Sequence, residues 1–346
     1  MKNKLRLLKS WQLAVIDIVI LGIALNVFAL FNHVLSGKTF TPIAVSAPAP
    51  VATPAPTPVS GQEEIIPQET TAPVETAAAE PELEPVAEFA QFDFPGMFTN
   101  GEVTKAKRTY KSANVAVNIE HHTSSGKYKQ SFYVADIYVR SAEYLKCVFA
   151  NDTVGQNELE KFESMSKRSN SIVSINTDFY GFSRRAYGLV IRNGALYRDA
   201  LNPKDDMCII FKDGTMQMYK AGTQLDCAAL MNEGAWQGFS FGPILVVDGK
   251  PVGNFADVSR EARVALGYVE PGHYKFIVAD GGQDDAKGFT YSGIADIAAD
   301  AGCVLAYNLD GGQSAQMGFM GSYANTPEKG GRRVSDILIV SELEGN

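Results

Sequence analysis

Basic residues are missing from the stretch Thr39 to Phe92, which carries eight Glu and neither Lys nor Arg. The formal net charge of −8 therefore belongs largely to that stretch and is a poor guide to the partners of the rest. No basic stripe with interleaved aromatics appears elsewhere, which excludes a nucleic-acid partner. No Cys-x-x-Cys or Cys/His spacing of the zinc-binding kind occurs either. The first ninety or so residues also lack the aromatic and branched apolar content that a second core would require. One folded domain is the expected count for the 346 residues, and 14 Tyr with 19 Phe supply a sizeable core for it.

The N-terminus sets the expected compartment. Lys2, Lys4, Arg6 and Lys9 form a basic tail over 1–10, followed by an apolar run from Trp11 to Leu35 broken only by residues such as Asp17, Asn26 and Asn32. At about 1.5 Å per helical residue, such a run crosses a hydrocarbon core of about 30 Å. Positive charge ahead of the span predicts a cytoplasmic N-terminus and an extracytoplasmic remainder, so the protein is expected in the cell membrane as a single-pass chain. Residues 36–92, rich in Pro, Ala and Glu and without hydrophobic period, read as a disordered, extended stalk. The folded domain is then 93–346.

Within that domain the runs VAVNIE, SFYVADIYV, SIVSIN, GLVIRNGALY, CIIFKDGTMQMY, PILVVDGKPV, RVALGY, HYKFIVAD and CVLAYNLD are short and rich in branched and aromatic residues. Asn-Gly, Asp-Gly and Pro-Gly turns separate them, which predicts hairpins. Helices are expected around Asn157 to Lys167, Leu225 to Met231 and Tyr291 to Ala301, the last with Thr290 as cap and Gly302 as stop. The fold class is α+β, with a large, mainly antiparallel or mixed sheet and few helices. Cys147, Cys208, Cys227 and Cys303 permit three pairings. Their apolar settings fit small buried hydrophobes as well as disulfides. His121 and His122 read as exposed at a strand end, His273 as part of a turn, and Asp284 and Asp285 as a solvated turn.

Three apolar runs end alike. SIVSINTDFYG reaches Asn176, Asp178 and Gly181; KFIVADGGQDD reaches Asp280, Gly281 and Gly282; VLAYNLDGGQS reaches Asn308, Asp310, Gly311 and Gly312. Each delivers an acceptor to a strand's carboxyl end, where glycines let the backbone turn and present N–H groups. If these ends converge they make a site, and all three Asp are expected around one cleft.

In order over roughly Ser171 to Val340, the motifs INTDFY, GLVIRNG, FGPILVVDGKPV, RVALGY, IVADGGQDDAKGFTYSGIADIAADAGCVLAYNLDGGQSAQM and RRVSDILIV resemble the phosphodiester glycosidase domain family. That family includes the enzyme that uncovers mannose 6-phosphate by removing a capping N-acetylglucosamine, and bacterial proteins linked to exopolysaccharide. The resemblance implies hydrolysis of a sugar-1-phosphodiester in a glycan or sugar-phosphate polymer. Where the family commonly reads DGGGSS this chain has Asp310 to Ala315 as DGGQSA, and where it commonly reads DGR it has Asp280-Gly281-Gly282. A phosphate leaving group has its second pKa near about 6, so strong general-acid help is unnecessary. Such a site needs one carboxylate, with cations or N–H groups for phosphate. Asp310 is the first choice for the carboxylate, with Asp280 and Asp178 as alternates. Asn176 and Asn308 are expected to bond the sugar, while Arg263 and one of Arg332 and Arg333 hold phosphate. Gly281, Gly311, Gly312, Gln313 and Ser314 complete the substrate-binding set, Ser314 as a bonding hydroxyl because no Gly-x-Ser-x-Gly elbow surrounds it. No cofactor is expected, although Asp and Asn clustered at loop ends also suit calcium. The competing expectation is a catalytically weak wall- or polysaccharide-binding protein that retains the fold.

Overall fold

A computed structural model describes Pro42 and residues 87–181, 187–253, 255–256 and 259–343. The basic tail, the apolar run 11–35 and all of the stalk before 87 except Pro42 lie outside the described residues. Among the described residues no helix is long and apolar enough to cross a membrane. The chain is docked on the domain from Ala87: Lys212 Nζ donates to Ala87 O, Phe89 packs edge-on against Trp236, and Phe92 N–H donates to Arg140 O.

Alternating apolar residues in the predicted runs form three main sheets, and every described pairing is antiparallel. The largest has nine strands, with Gln130–Val139, His273–Ala279, Arg263–Glu270, Leu305–Leu309 and Ile244–Val247 lying consecutively. A five-stranded sheet centres on Asp206–Phe211, Ala235–Phe241 and Gly188–Arg192. A second five-stranded sheet centres on Met317–Phe319, Val173–Asn176 and Asp336–Val340.

Strand period two divides each sheet between two interiors. Val264 and Leu266 point into a core shared by all three sheets, together with Phe276, Tyr307, Phe239, Ile175 and Leu338. Ala265 points the other way, where Ile294, Ala295 and Ala298 of helix Tyr291–Asp300 cover the nine-stranded sheet. Leu230, from helix Cys227–Asn232, covers the second sheet, and Phe162 and Met165, from helix Phe162–Arg168, cover the third. One central core with a helix on each outer face is what a sheet-rich chain with few helices needs to bury both sides.

The Tyr291 helix carries its expected cap, Thr290 Oγ1 accepting from Gly293 N–H at 3.1 Å. The other two helices are shorter than their patterns. Glu160–Lys161 pairs with Arg333–Val334 as a strand, so the helix there starts only at Phe162. Asp226 caps the second helix by accepting from Ala228 and Ala229 N–H, which sets its start at Cys227. All four cysteines are free thiols, with Cys147, Cys208 and Cys303 buried in the core.

His273 departs from its reading as part of a turn. It opens a strand, is buried, and shares Asp136 Oδ1 with Lys275, at 2.7 Å and 2.6 Å. Burial alone would raise the Asp136 pKa, but the bonds from His273 and Lys275 outweigh it and hold the carboxyl below its ordinary value. A depressed folded-state pKa contributes stability above the unfolded value and loses it as pH falls through the folded one. Asp136→Asn is therefore expected to flatten the fall in melting temperature below about pH 4. An acid limb as steep as the parent's in a thermal-melt series would refute this.

Candidate functional site

Strand register brings two of the three Asp-Gly loops to one rim. Arg263 pairs with Ala279 on one side, and Val264 with Leu309 on the other. Asp280 and Asp310 therefore leave the sheet at the same edge, flanking the entry of the Arg263 strand. Gly281 and Gly311 make this fit possible. A Cβ on Gly311 would lie 2.5 Å from Ala262 O, and one on Gly281 would collide with Ala262 N. Gly312 N–H donates to Ala262 O at 2.8 Å, so its N–H is committed to the fold rather than to an anion nest.

A cleft of about 480 Å³ opens here, lined by Asp310, Gly311, Gly312, Gln313, Asn308, Arg263 and Arg332. The Asp310 Oδ2 atom accepts from Arg332 Nη2 at 2.6 Å. Arg332 Nε donates to the buried Ser314 Oγ at 2.5 Å, which fixes the guanidinium across the Asp310 loop. Arg333 turns outward to Leu159 O, so Arg332 is the arginine of the cleft. Arg263 is buried, with Nε donating to Phe289 O and Nη2 to Ser259 O, and its guanidinium lies 3.9 Å from the Tyr291 ring centroid.

The two asparagines have different positions. Asn308 Nδ2 donates to Gly242 O at 2.8 Å, leaving a buried Oδ1 with no partner among the described residues, in the cleft lining. Such a buried acceptor is costly unless a ligand or water meets it. Asn176 does not reach the cleft. Its Nδ2 donates to Asp310 O and its Oδ1 accepts from Gln316 N–H, so the amide clips the Asp310–Gln316 loop in place.

The expectation of one cleft for all three Asp is not met. Asp178 is buried with Arg192, whose Nη2 donates to it at 2.6 Å and whose Nε donates to Asp336 Oδ2 at 2.7 Å. The Asp178 Oδ2 atom also accepts from Ser240 N–H. Burial raises the Asp336 pKa, opposed by Arg192. Asp178 is thus part of an internal ion cluster beneath the site. Asp280 faces a neighbouring hollow, its Oδ2 accepting from Ser131 Oγ and its Oδ1 from Asn325 Nδ2. Burial pushes its pKa up against those bonds. Gly281 packs on Ala262 and does not line the cleft.

The cleft also contains Glu261, Glu328, Tyr291 and Phe241, which sequence reading did not single out. Glu261 stands just ahead of the motif RVALGY, and Tyr291 lies within the long motif that begins at Ile277, in GFTYSG; those placements were their only signal. Glu328 had none. It fills the space where a Cβ on Gly282 would go, at the position where the family commonly has arginine. Gly238 to Gly242 reads Gly-Phe-Ser-Phe-Gly, but Ser240 lies buried within a strand rather than at an exposed strand-to-helix elbow. Among the described residues no three His, Cys, Asp or Glu side chains are grouped to hold a metal ion.

The molecule is an α+β scaffold with a carboxylate and arginine cleft at its strand ends. The family model for phosphodiester glycosidase matches residues 169–341, half of the chain, and the chain belongs to that family. A Bacillus subtilis (strain 168) relative, the SPbeta prophage-derived uncharacterized protein YomE, is 34% identical over 196 residues. The match covers 54% of this chain and 30% of that protein. The fold is similar to the catalytic domain of zebrafish N-acetylglucosamine-1-phosphodiester alpha-N-acetylglucosaminidase, solved auto-inhibited by its pro-peptide. The TM-score is 0.54 at 21% identity, covering 70% of this chain and 88% of that one.

Proposed function

We propose that this chain is a membrane-anchored, extracytoplasmic hydrolase that cleaves the glycosidic bond of a sugar-1-phosphodiester in a cell-surface glycan or exopolysaccharide. The observation that carries this reading is the Asp310 carboxylate held at 2.6 Å by Arg332 in a cleft that also presents Arg263 and the Asn308 Oδ1, which has no partner among the described residues. Carboxylate, cations and sugar acceptor are the parts that leaving-group chemistry calls for. Departure of a phosphate monoester needs little proton donation, and the charge on the oxocarbenium-like sugar is met by Asp310. Arg332 orients that carboxylate, while Arg263 takes phosphate oxygens.

A panel of sugar-1-phosphodiesters set against alkyl glycosides of the same sugars tests the reading. Phosphodiesters are expected to be cleaved and alkyl glycosides spared, with turnover persisting well above neutral pH. Equal cleavage of both would show that phosphate is not the recognised leaving group. Arg263→Ala is expected to raise KM by about 10-fold to 100-fold with a smaller change in kcat, as loss of a charge-assisted phosphate contact predicts. An unchanged KM in a variant that melts like the parent would remove Arg263 from substrate binding.

The second reading, a weakly catalytic polysaccharide-binding protein, draws on Glu328. A carboxylate stands at the Gly282 position, so the cleft has one cation fewer for phosphate. That reading predicts polymer binding without turnover in the same panel. For topology, protease added to intact cells is expected to release a fragment beginning within residues 36–92. Full protection with the stalk exposed would overturn the extracytoplasmic placement.

A further inference from the structure

The rim that carries Asp310 continues past Arg263 into a second hollow of about 340 Å³, whose lining includes His121, Lys129, Ser131, Tyr133, Asp280 and Thr326. Phe132 pairs with Ala279, Ala279 with Arg263, and Val264 with Leu309, so both hollows open on one edge of one sheet. At about 4.8 Å per strand, Asp280 and Asp310 stand roughly 10 Å apart along that edge.

The floor of the hollow is built before any ligand arrives. Ser131 Oγ gives its proton to Asp280 Oδ2 at 2.7 Å, so it accepts from His121 Nε2 at 3.0 Å. A neutral imidazole protonated there leaves Nδ1 as an acceptor. Burial and nearby Arg108 lower the His121 pKa, which favours that neutral ring. Its plane lies parallel to Tyr133, 4.2 Å between centroids. Asp280 Oδ1 takes Asn325 Nδ2, and the same amide reaches Ala315 O in the turn after Asp310. The floor and the catalytic loop are therefore tied together.

The lining carries Lys129 together with the carboxylates Asp280 and Asp285, and Tyr128 and Arg260 adjoin it just outside. Tyr128 is 41% exposed, with the Arg260 guanidinium 3.9 Å from its ring centroid, and Lys129 follows it in the wall. Arg260 is three residues from Arg263, which puts positive charge between the two hollows. His121, Lys129, Ser131 and Tyr133 all precede the family-matched residues 169–341, so this wall is a feature of this chain beyond the matched region.

We propose that this hollow is a second subsite, which binds the next glycosyl-phosphate unit of a polymeric substrate whose cleaved unit occupies the Asp310 cleft. The proposal rests on the reading of that cleft as a sugar-1-phosphodiester site. Sugar packs against the exposed Tyr128 at the mouth, and phosphate lies between Arg260 and Lys129.

The test compares two probes on the full-length protein: the methyl diester of α-N-acetylglucosamine 1-phosphate, and its homologue with a second N-acetylglucosaminyl phosphate unit in place of methyl. Lys129→Glu is expected to raise KM for the two-unit probe about tenfold and to leave the one-unit probe within about twofold, the size of one charge-assisted contact. Lys220→Glu, at an exposed turn of another sheet, controls for net charge and is expected to change neither. Equal effects of Lys129→Glu on both probes, or none on either, overturn the subsite. If the parent cleaves neither probe, N-acetylglucosamine 1-phosphodiesters are excluded as its substrates, and calorimetric titration of the uncleaved two-unit probe decides the subsite. Binding to the parent that is about tenfold weaker in Lys129→Glu supports it. Absent binding, or binding unchanged by the substitution, overturns it.

Discussion

Asp310→Asn is expected to lower kcat by at least about a thousandfold while KM changes by less than about threefold, as loss of a charge used mainly in the transition state predicts. The side chain sits at the end of a buried strand, with its carbonyl held by Asn176 and its carboxylate by Arg332. An amide of the same shape keeps the loop and the backbone bonds. What disappears is the negative charge in the cleft, together with the ion pair to Arg332. Steady-state kinetics on the best phosphodiester of the panel provides the measurement. A variant that keeps more than a tenth of parental kcat would show that another group, with Glu328 and Glu261 nearest to hand in the cleft lining, carries the charge.

The second large effect concerns stability. Arg192→Met removes the only guanidinium recorded between Asp178 and Asp336 among the described residues and leaves two buried carboxylates facing each other. Breaking a buried ion pair in this way costs about 3–5 kcal/mol. For a domain of this size the melting temperature then falls by roughly 6–20 °C, at about 2–4 °C per kcal/mol. The sign of the pH dependence follows from burial, which raises the folded-state pKa of Asp336. A raised pKa means that the neutral form is the favoured one inside, and stability is lost as pH rises through the folded value. Removing the cation accentuates that trend. The deficit of the variant is expected to be largest near neutral pH and to shrink as pH falls through the raised folded-state value, where the buried carboxyls protonate. A melting temperature within about 2 °C of the parent at pH 7 would mean that the cluster carries no net stability.

These two residues show how far local pattern reaches. Asp178, Asp280 and Asp310 look alike in sequence, each placed after an apolar run near glycine. Asp310 faces open space because its neighbour across the rim is the entry of the Arg263 strand, held close by Gly311 and Gly312. Asp178 meets Arg192, which lies in GLVIRNG and reads locally as the last residue before a hairpin turn. The strand Val173–Asn176 belongs to one sheet and Gly188–Arg192 to another, so nothing local announces their contact. His273 shows the same limit. Pro271-Gly272 marks a turn, but the partner that buries the ring, Asp136, comes from a strand 137 residues away in sequence.

By itself the sequence determined the strands, their turns, the capped helix at Tyr291 and the family. All of these rest on neighbours within a few residues: period-two alternation, glycine where φ must be positive, and a hydroxyl three residues ahead of an unpaired N–H. Only the tertiary structure decided which acid enters the cleft and which is neutralised beneath it. Arg332 to Asp310, Arg192 to Asp178, and Glu328 against Gly282 each join residues brought together by sheet register and loop packing. A shift of one residue in that register sends a side chain to the opposite face of its sheet. The chemistry of the rim was therefore set by three sheets closing on a common core, after local preference had already made the strands.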